Sequence, residues 1–417
     1  MLKKLNNLFL IICFLILITG CRSKDTLLFL NWGEYIDEDL ITEFENQYNC
    51  TVVMDLADSN EAFYSKVSSG TTVYDVVAPS DYMVIKMKKN DLLSEIDFSK
   101  LSNYNQDDLL VGVKGIISKM NEKEQNIDNY FVPYLWGTWG IMYSTKKEGL
   151  KEAVVNNKNE WASLFDRSSL PMNTKLAMYD SNQHAYYAAC KYLGLDNNIE
   201  LANEDLDKIY ELIKNVNYNA RGTDNLKKKI AAENLDLGFM WTGDFLYYYC
   251  ERIAEVVYNA YKDNSNINIL EMIQSLVDDD TYTFNNKIYQ VGFDMFIPND
   301  TIAFCDNLVI TKKAAHKDLA HKFIDYMCQA QSAFKNAYYV VYDTPFKNVY
   351  DEIVALEDSS IDDVDQDLLY DIAIGYGYNK YYPKTVNNEN GYKGDILAPF
   401  DRKYINKINA IFNNARF

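Results

Sequence analysis

Apolar residues in the stretch that follows residue 25 fall into two alternating spacings. Thr26-Leu-Leu-Phe-Leu-Asn31 is a continuous apolar run of strand length, and Thr51-Val-Val-Met54 is a second. Between them Leu40, Ile41, Phe44 and Tyr48 recur at helical spacing, which predicts a helix over 38–48. Asp58-Ser-Asn-Glu61 resembles a capping box, whose end residues satisfy each other's amides, and predicts a helix running through Val67. Residues 73–78 read as a third strand, and Pro79-Ser80 as the start of the next helix. Strands separated by helices imply a parallel sheet covered on both faces. Ligands of such sheets bind where strand carboxyl ends meet helix starts. Here those places are Asn31-Trp32-Gly33-Glu34-Tyr35 and Pro79-Ser80-Asp81-Tyr82.

Residues 133–144 are extended, aromatic and interrupted by glycines, a segment suited to crossing between two lobes. A second α/β stretch follows, with strands expected at 175–178 and 237–241 and helices at 185–193 and 206–214. Residues 261–287 are polar and weakly patterned, which reads as a surface insertion. Its acidic run Asp278-Asp-Asp280 reads as a solvated face, as does Asp362-Asp363. A strand is expected at 302–311 and helices at 317–330 and 401–413.

The N-terminus sets the compartment. Lys3 and Lys4 precede an unbroken apolar run from Leu8 to Ile18. As a helix that run rises only ~16 Å, too short for a hydrocarbon core of ~30 Å, so it reads as the core of an export signal over residues 1–20. Ile18-Thr19-Gly20-Cys21 looks like a bacterial lipobox, with Cys21 the residue to be lipidated and residues 21–25 a short tether. The expected location is therefore extracytoplasmic, on the outer face of the cell membrane.

Composition narrows the chemistry. At 417 residues the chain is long enough for two lobes, and 48% hydrophobic with 24% charged residues is a globular balance. The formal charge is −19, and −21 once the two leader lysines are removed, a surface that repels nucleic acid and attracts cations. Beyond the leader, Cys50, Cys190, Cys250, Cys305 and Cys328 are scattered among apolar neighbours, as buried free thiols are. With three histidines and no C-x-x-C, a metal site is not expected. Nor does the chain hold G-x-S-x-G or H-E-x-x-H.

Six motifs then occur in a telling order. They are Asn31-Trp-Gly-Glu-Tyr35, Asp58-Ser-Asn-Glu61, Tyr74-Asp-Val-Val-Ala-Pro-Ser80, Pro133-Tyr-Leu-Trp-Gly137, Leu237-Gly-Phe-Met-Trp-Thr-Gly243 and Tyr342-Asp-Thr-Pro345. In that order they resemble the spermidine/putrescine-binding proteins of ABC importers, from about Thr26 to the C-terminus apart from 261–287. The resemblance implies an α/β, two-lobed periplasmic-binding-protein-like fold of type II, with ligand in the interlobe cleft. Lobe 1 would comprise 26–137 and 306–350, and lobe 2 would comprise 138–305 and 351–417. It implies a monomeric binding protein rather than an enzyme, without cofactor. Its partners would be a polyamine, the ABC permease and ATPase subunits, and the membrane through the lipid.

By match to the family, Trp32, Tyr35 and Trp241 would be aromatic contacts, and Glu34 and Asp306 would pair with amines. Ser80 and Tyr82 would supply polar and aromatic edges, Phe304 stands where the family usually has Trp, and Tyr342 would close the far side. A polyamine needs such a set, because a cation over an aromatic face gains ~0.5–2 kcal/mol. An ammonium buried without a carboxylate costs several kcal/mol. The chain departs from the family at Ser181 and His184, where relatives offer carboxylates; Asp180 or Asp244 are the candidates to compensate. Gly33 also replaces a side chain often found there. A pocket with fewer carboxylates should favour shorter amines, and binding should weaken as pH falls through the range where His184 charges. The alternatives are the same fold binding another organic cation or small solute and, in a different class, a surface-anchored glycoside hydrolase.

Overall fold

The computed structural model describes residues 24–223, 225–361, 363–382 and 395–415. Cys21, its leader and Asp362 lie outside them. The first strands are β1 (Thr26–Asn31), β2 (Thr51–Leu56), β3 (Val76–Val77) and β4 (Phe131–Ser144). Then come β5 (Leu176–Tyr179), β6 (Ala220–Gly222), β7 (Leu237–Trp241), β8 (Thr281–Phe284), β9 (Lys287–Gln290), β10 (Phe293–Phe296) and β11 (Ala303–Ile310). One sheet runs β2-β1-β3-β11-β4-β7-β5-β6, with β10 also paired to β4, and β8-β9 form a separate hairpin.

The N-terminal unit follows the expected pattern. β1 pairs in parallel with β2 and β3. The helix Glu38–Tyr48 between them buries Leu40 and Phe44, starts at the Asp37 cap and stops where Asn49 turns left-handed. Two details differ. The helix expected to be capped by Asp58 is Asn60–Ser69, because Ser59 is the extended residue whose hydroxyl accepts from Ala62 N. The third strand is only two residues long, since Val73 is exposed and the Asp75 carboxylate accepts the Leu28 N–H at 3.0 Å.

β4 organises the whole molecule. It is 14 residues long and buried throughout. Its first half pairs antiparallel with β11, ending at Thr138 opposite Ala303. From Trp139 onward it pairs instead with β7, and from Ile141 with β10. One α/β half, β2-β1-β3-β11, is thus joined through β4 to another, β7-β5-β6, in which β5 and β7 are parallel. The expected helices are present there as Asn182–Leu193 and Asn203–Val216. The molecule is a two-lobed α/β protein.

Residues 261–287 correct the reading of a weakly patterned insertion. They contain the end of the helix Thr242–Asp263, a helix Ile269–Asp279 and the β8 strand. Met272, Ile273, Leu276 and Val277 are buried on one face of that second helix, so its apolar periodicity is real. Asp280 is likewise not solvated. It is buried, accepts from Gln290 Nε2 at 3.0 Å and Gly292 N at 3.1 Å, and meets Thr145 Oγ1. Asp278, Asp279 and Asp363 are exposed, as expected. The helix expected over 317–330 ends at Met327, because extended Gln329 starts a new helix, Ala330–Val340. Cys50, Cys190, Cys250, Cys305 and Cys328 are free and buried. Among the described residues no helix is long and apolar enough to cross a membrane, and no metal-binding cluster occurs.

Candidate binding site

Asp306 lies at a β-bulge. Opposite it the register on β4 slips, from Leu135 to Pro133, and leaves Tyr134 without a counterpart on β11. Pro133 has no N–H to give a regular ladder, and a bulge re-aims the neighbouring side chain. Asn307 N donates instead to Pro79 O at 2.9 Å, which ties β11 to the loop after β3. The result is a buried carboxylate between two hydroxyls. Tyr35 Oη donates to Asp306 Oδ2 at 2.7 Å, and Ser80 Oγ donates to Oδ1 at 2.6 Å. Asn60 donates from Nδ2 to Ser80 Oγ at 2.9 Å and accepts the Ser80 N–H, so the serine is fixed as well. Burial outweighs both hydroxyl bonds and raises the Asp306 carboxyl to about 6.

Aromatic rings surround this carboxylate. Tyr342 lies edge-on to Tyr35 at 5.3 Å and to Phe304 at 6.0 Å. Phe304 meets Trp241 at 4.5 Å, edge to face. Trp241 therefore comes from one lobe, at the end of β7, and Tyr35 from the other, after β1. Trp32 is turned differently: its indole N–H donates to Ala78 O at 2.8 Å and its ring packs on Phe63 at 4.6 Å. Tyr82 is buried beside Ser80 at the start of the helix Asp81–Lys89. The structure thus brings Tyr35, Ser80, Phe304, Asp306, Tyr342 and Trp241 together.

Glu34 and His184 stand apart from Asp306. Glu34 is exposed, in a left-handed backbone conformation (φ 52°) that is uncommon for a side chain of its type. Its charge is felt by Tyr247, on the opposite lobe. His184 stacks on Trp139 at 4.2 Å, and its Nδ1 is 2.6 Å from Ser181 Oγ. Burial pushes its imidazole down to about 3, so it is neutral throughout the physiological range. The range in which His184 charges, and with it any weakening of binding that it causes, therefore lies near pH 3, below the ordinary imidazole range. Asp180 is exposed at the end of β5, whereas Asp244 is half-buried and paired with Lys227.

Three contributors escaped the sequence reading. Asp81 is buried, accepts the Cys305 N–H at 2.8 Å and is raised by burial to about 7. Asn336 donates to Tyr134 Oη at 3.1 Å, and Tyr134 donates to Tyr35 O at 2.9 Å, which fixes the loop that carries Tyr35. Trp139, fully buried, is the floor on which Trp241 (4.0 Å) and His184 rest. The Pro79-Ser80-Asp81-Tyr82 stretch gave a signal for Asp81. Asn336 offered none, because its role depends on a helix distant in sequence.

A bulged carboxylate and aromatic rings are thus drawn together from both halves of a two-lobed α/β fold. The chain belongs to the bacterial extracellular solute-binding proteins, whose sequence profile matches residues 39–360. The family consists of binding proteins, not enzymes, and its members act outside the cytoplasm. The spermidine/putrescine-binding periplasmic protein of Salmonella typhimurium is 29% identical over 230 residues, covering 53% of this chain and 60% of that one. The match therefore spans less than two thirds of that relative. The putrescine/cadaverine-binding protein of Pseudomonas aeruginosa is 24% identical over 315 residues, 75% of this chain and 77% of that one. The PotD substrate-binding protein of Streptococcus pneumoniae superimposes with a TM-score of 0.62 at 23% identity, over 94% of this chain and 99% of that one. That likeness establishes the type II two-lobed fold.

Proposed function

We propose that this protein is the substrate-binding lipoprotein of an ABC importer for polyamines, handing its ligand to a permease driven by an ATPase. The observation that carries the reading is Asp306, a buried carboxylate held by Tyr35 and Ser80 and ringed by Tyr342, Phe304 and Trp241. An ammonium group entering there trades water for a carboxylate, and the methylene chain behind it covers aromatic faces. Glu34, at the rim, would meet a second ammonium. Trp32, Tyr82, Ser181 and His184 complete the proposed wall, with His184 acting as a neutral ring. The names of the two sequence relatives support the same ligand class.

The proposed lobes are 26–137 with 306–350 and 138–305 with 351–417. The boundary on β4 is supported by the change of partners between Thr138 and Trp139. The protein would work as a monomer, tethered by a lipidated Cys21. Intact-mass analysis of membrane-extracted protein tests the anchor: a diacylated or triacylated chain beginning at Cys21 is expected, and an unmodified chain beginning elsewhere contradicts it. Calorimetric titration with putrescine and spermidine tests the ligand class, with saturable one-to-one binding expected. Absence of binding to either amine overturns the reading.

A further inference from the structure

Lys227 is paired with a carboxylate three residues beyond the site residue Trp241. It lies on the helix Asn225–Ala231, and its Nζ is 2.6 Å from Asp244 Oδ1. Both side chains are largely shielded from water, 15% and 13% exposed, so the pair is screened far less than a surface ion pair. Asp244 belongs to the first turn of the helix Thr242–Asp263, which starts directly after the site residue Trp241. The residue between, Gly243, is so close to Tyr342 that a Cβ there would fall 2.5 Å from the ring. Tyr342 itself feels the charges of both Asp244 and Asp306. Asp244 thus follows a glycine packed against the Tyr342 ring, and its carboxylate already has an ammonium.

We propose that Lys227 is a specificity-determining residue, a built-in ammonium that holds Asp244 and thereby biases the cleft toward a diamine over a triamine. The inference rests on the polyamine reading. A third ligand ammonium brought near Tyr342 meets an Asp244 carboxylate already held by Lys227, and it meets the Lys227 charge as well. A diamine needs only Asp306 in depth and Glu34 at the rim. Selectivity thus comes from an element that repels the larger charge as much as from one that attracts the smaller.

The test uses purified full-length protein and calorimetric titration with putrescine and spermidine. Lys227→Met removes the charge while keeping the stem. It is expected to raise the spermidine-to-putrescine affinity ratio at least tenfold. Lys227→Arg keeps the charge and should leave the ratio within twofold of wild type. In Lys227→Met/Asp244→Asn the gain should disappear, because the carboxylate that produced it is gone. Thermal melts of each variant establish that it is folded, and Lys227→Arg reports on the charge even where Lys227→Met fails to fold. An unchanged ratio in Lys227→Met, a tenfold shift in Lys227→Arg, or a gain that survives in the double variant overturns the proposal. Wild-type protein that binds neither amine overturns the polyamine reading itself, an outcome distinct from an unchanged ratio.

Discussion

Burial raises the carboxyl of Asp306 to about 6 and that of neighbouring Asp81 to about 7, both from an ordinary value of 3.8. The folded protein therefore keeps protons that the unfolded chain has lost between these values. The associated stability is fully present below the ordinary value and is lost as pH rises through about 6 to 7. At pH 8 the charged Asp306 is a cost to the ligand-free fold, on the order of 2–3 kcal/mol. Asp306→Asn should accordingly melt higher than wild type at pH 8 and close to it at pH 4. A lower melting temperature at pH 8 would show that the carboxylate stabilises the empty protein. The same substitution should weaken polyamine binding by ~2–5 kcal/mol, because an ammonium loses its buried partner. Wild-type affinity should fall as pH drops through about 6, whereas that of Asp306→Asn should stay flat. Loss of affinity only near pH 3 would instead implicate His184. Exposed Glu34 should contribute less than Asp306, and Glu34→Ala is expected to cause the smaller loss in the same titration.

At the scale of elements, the helix Ile269–Asp279 is part of the fold rather than an ornament. Leu276 is fully buried, and Tyr249 Oη donates to its carbonyl oxygen at 3.3 Å. Leu276→Ala should cost ~2–5 kcal/mol in denaturant unfolding, the usual penalty for a cavity, with polyamine affinity unchanged. A loss under about 0.5 kcal/mol, typical of surface changes, would return this segment to the periphery. The sequence made β1, β2, β4, β7 and the flanking helices legible, since each has a clear apolar period and turn or cap residues. This helix was obscured by its setting between Asn, Asp and Ser residues, which mask a stripe of only a few apolar side chains. Among the candidate site residues, Tyr35, Ser80, Trp241 and Tyr342 stood in motifs, Phe304 and Asp306 came from the family resemblance, and the fold brings all six together. What sequence could not supply was the bulge opposite Pro133, the Asn336–Tyr134–Tyr35 chain and the Lys227–Asp244 pair. Those depend on register and on contacts between distant elements, which no local pattern encodes.

At the scale of the molecule, the two lobes meet directly around the site. Gln183 Nε2 donates to Glu61 Oε1 at 3.1 Å across the proposed lobe boundary. Aromatic walls from both lobes can enclose a ligand only if the lobes part and close about their crossings. Small-angle scattering should therefore show a smaller radius of gyration with saturating polyamine than without it, and superimposable curves would argue for a rigid cleft. The central claim is that this cleft binds polyamines, and a calorimetric titration series tests it most directly. Putrescine, spermidine, spermine and agmatine would be compared with sugars and amino acids under one buffer condition at pH 8. Saturable binding confined to the amines, and lost in Asp306→Asn, is the result the site geometry requires. Binding of a sugar or an amino acid in preference to every amine would contradict it.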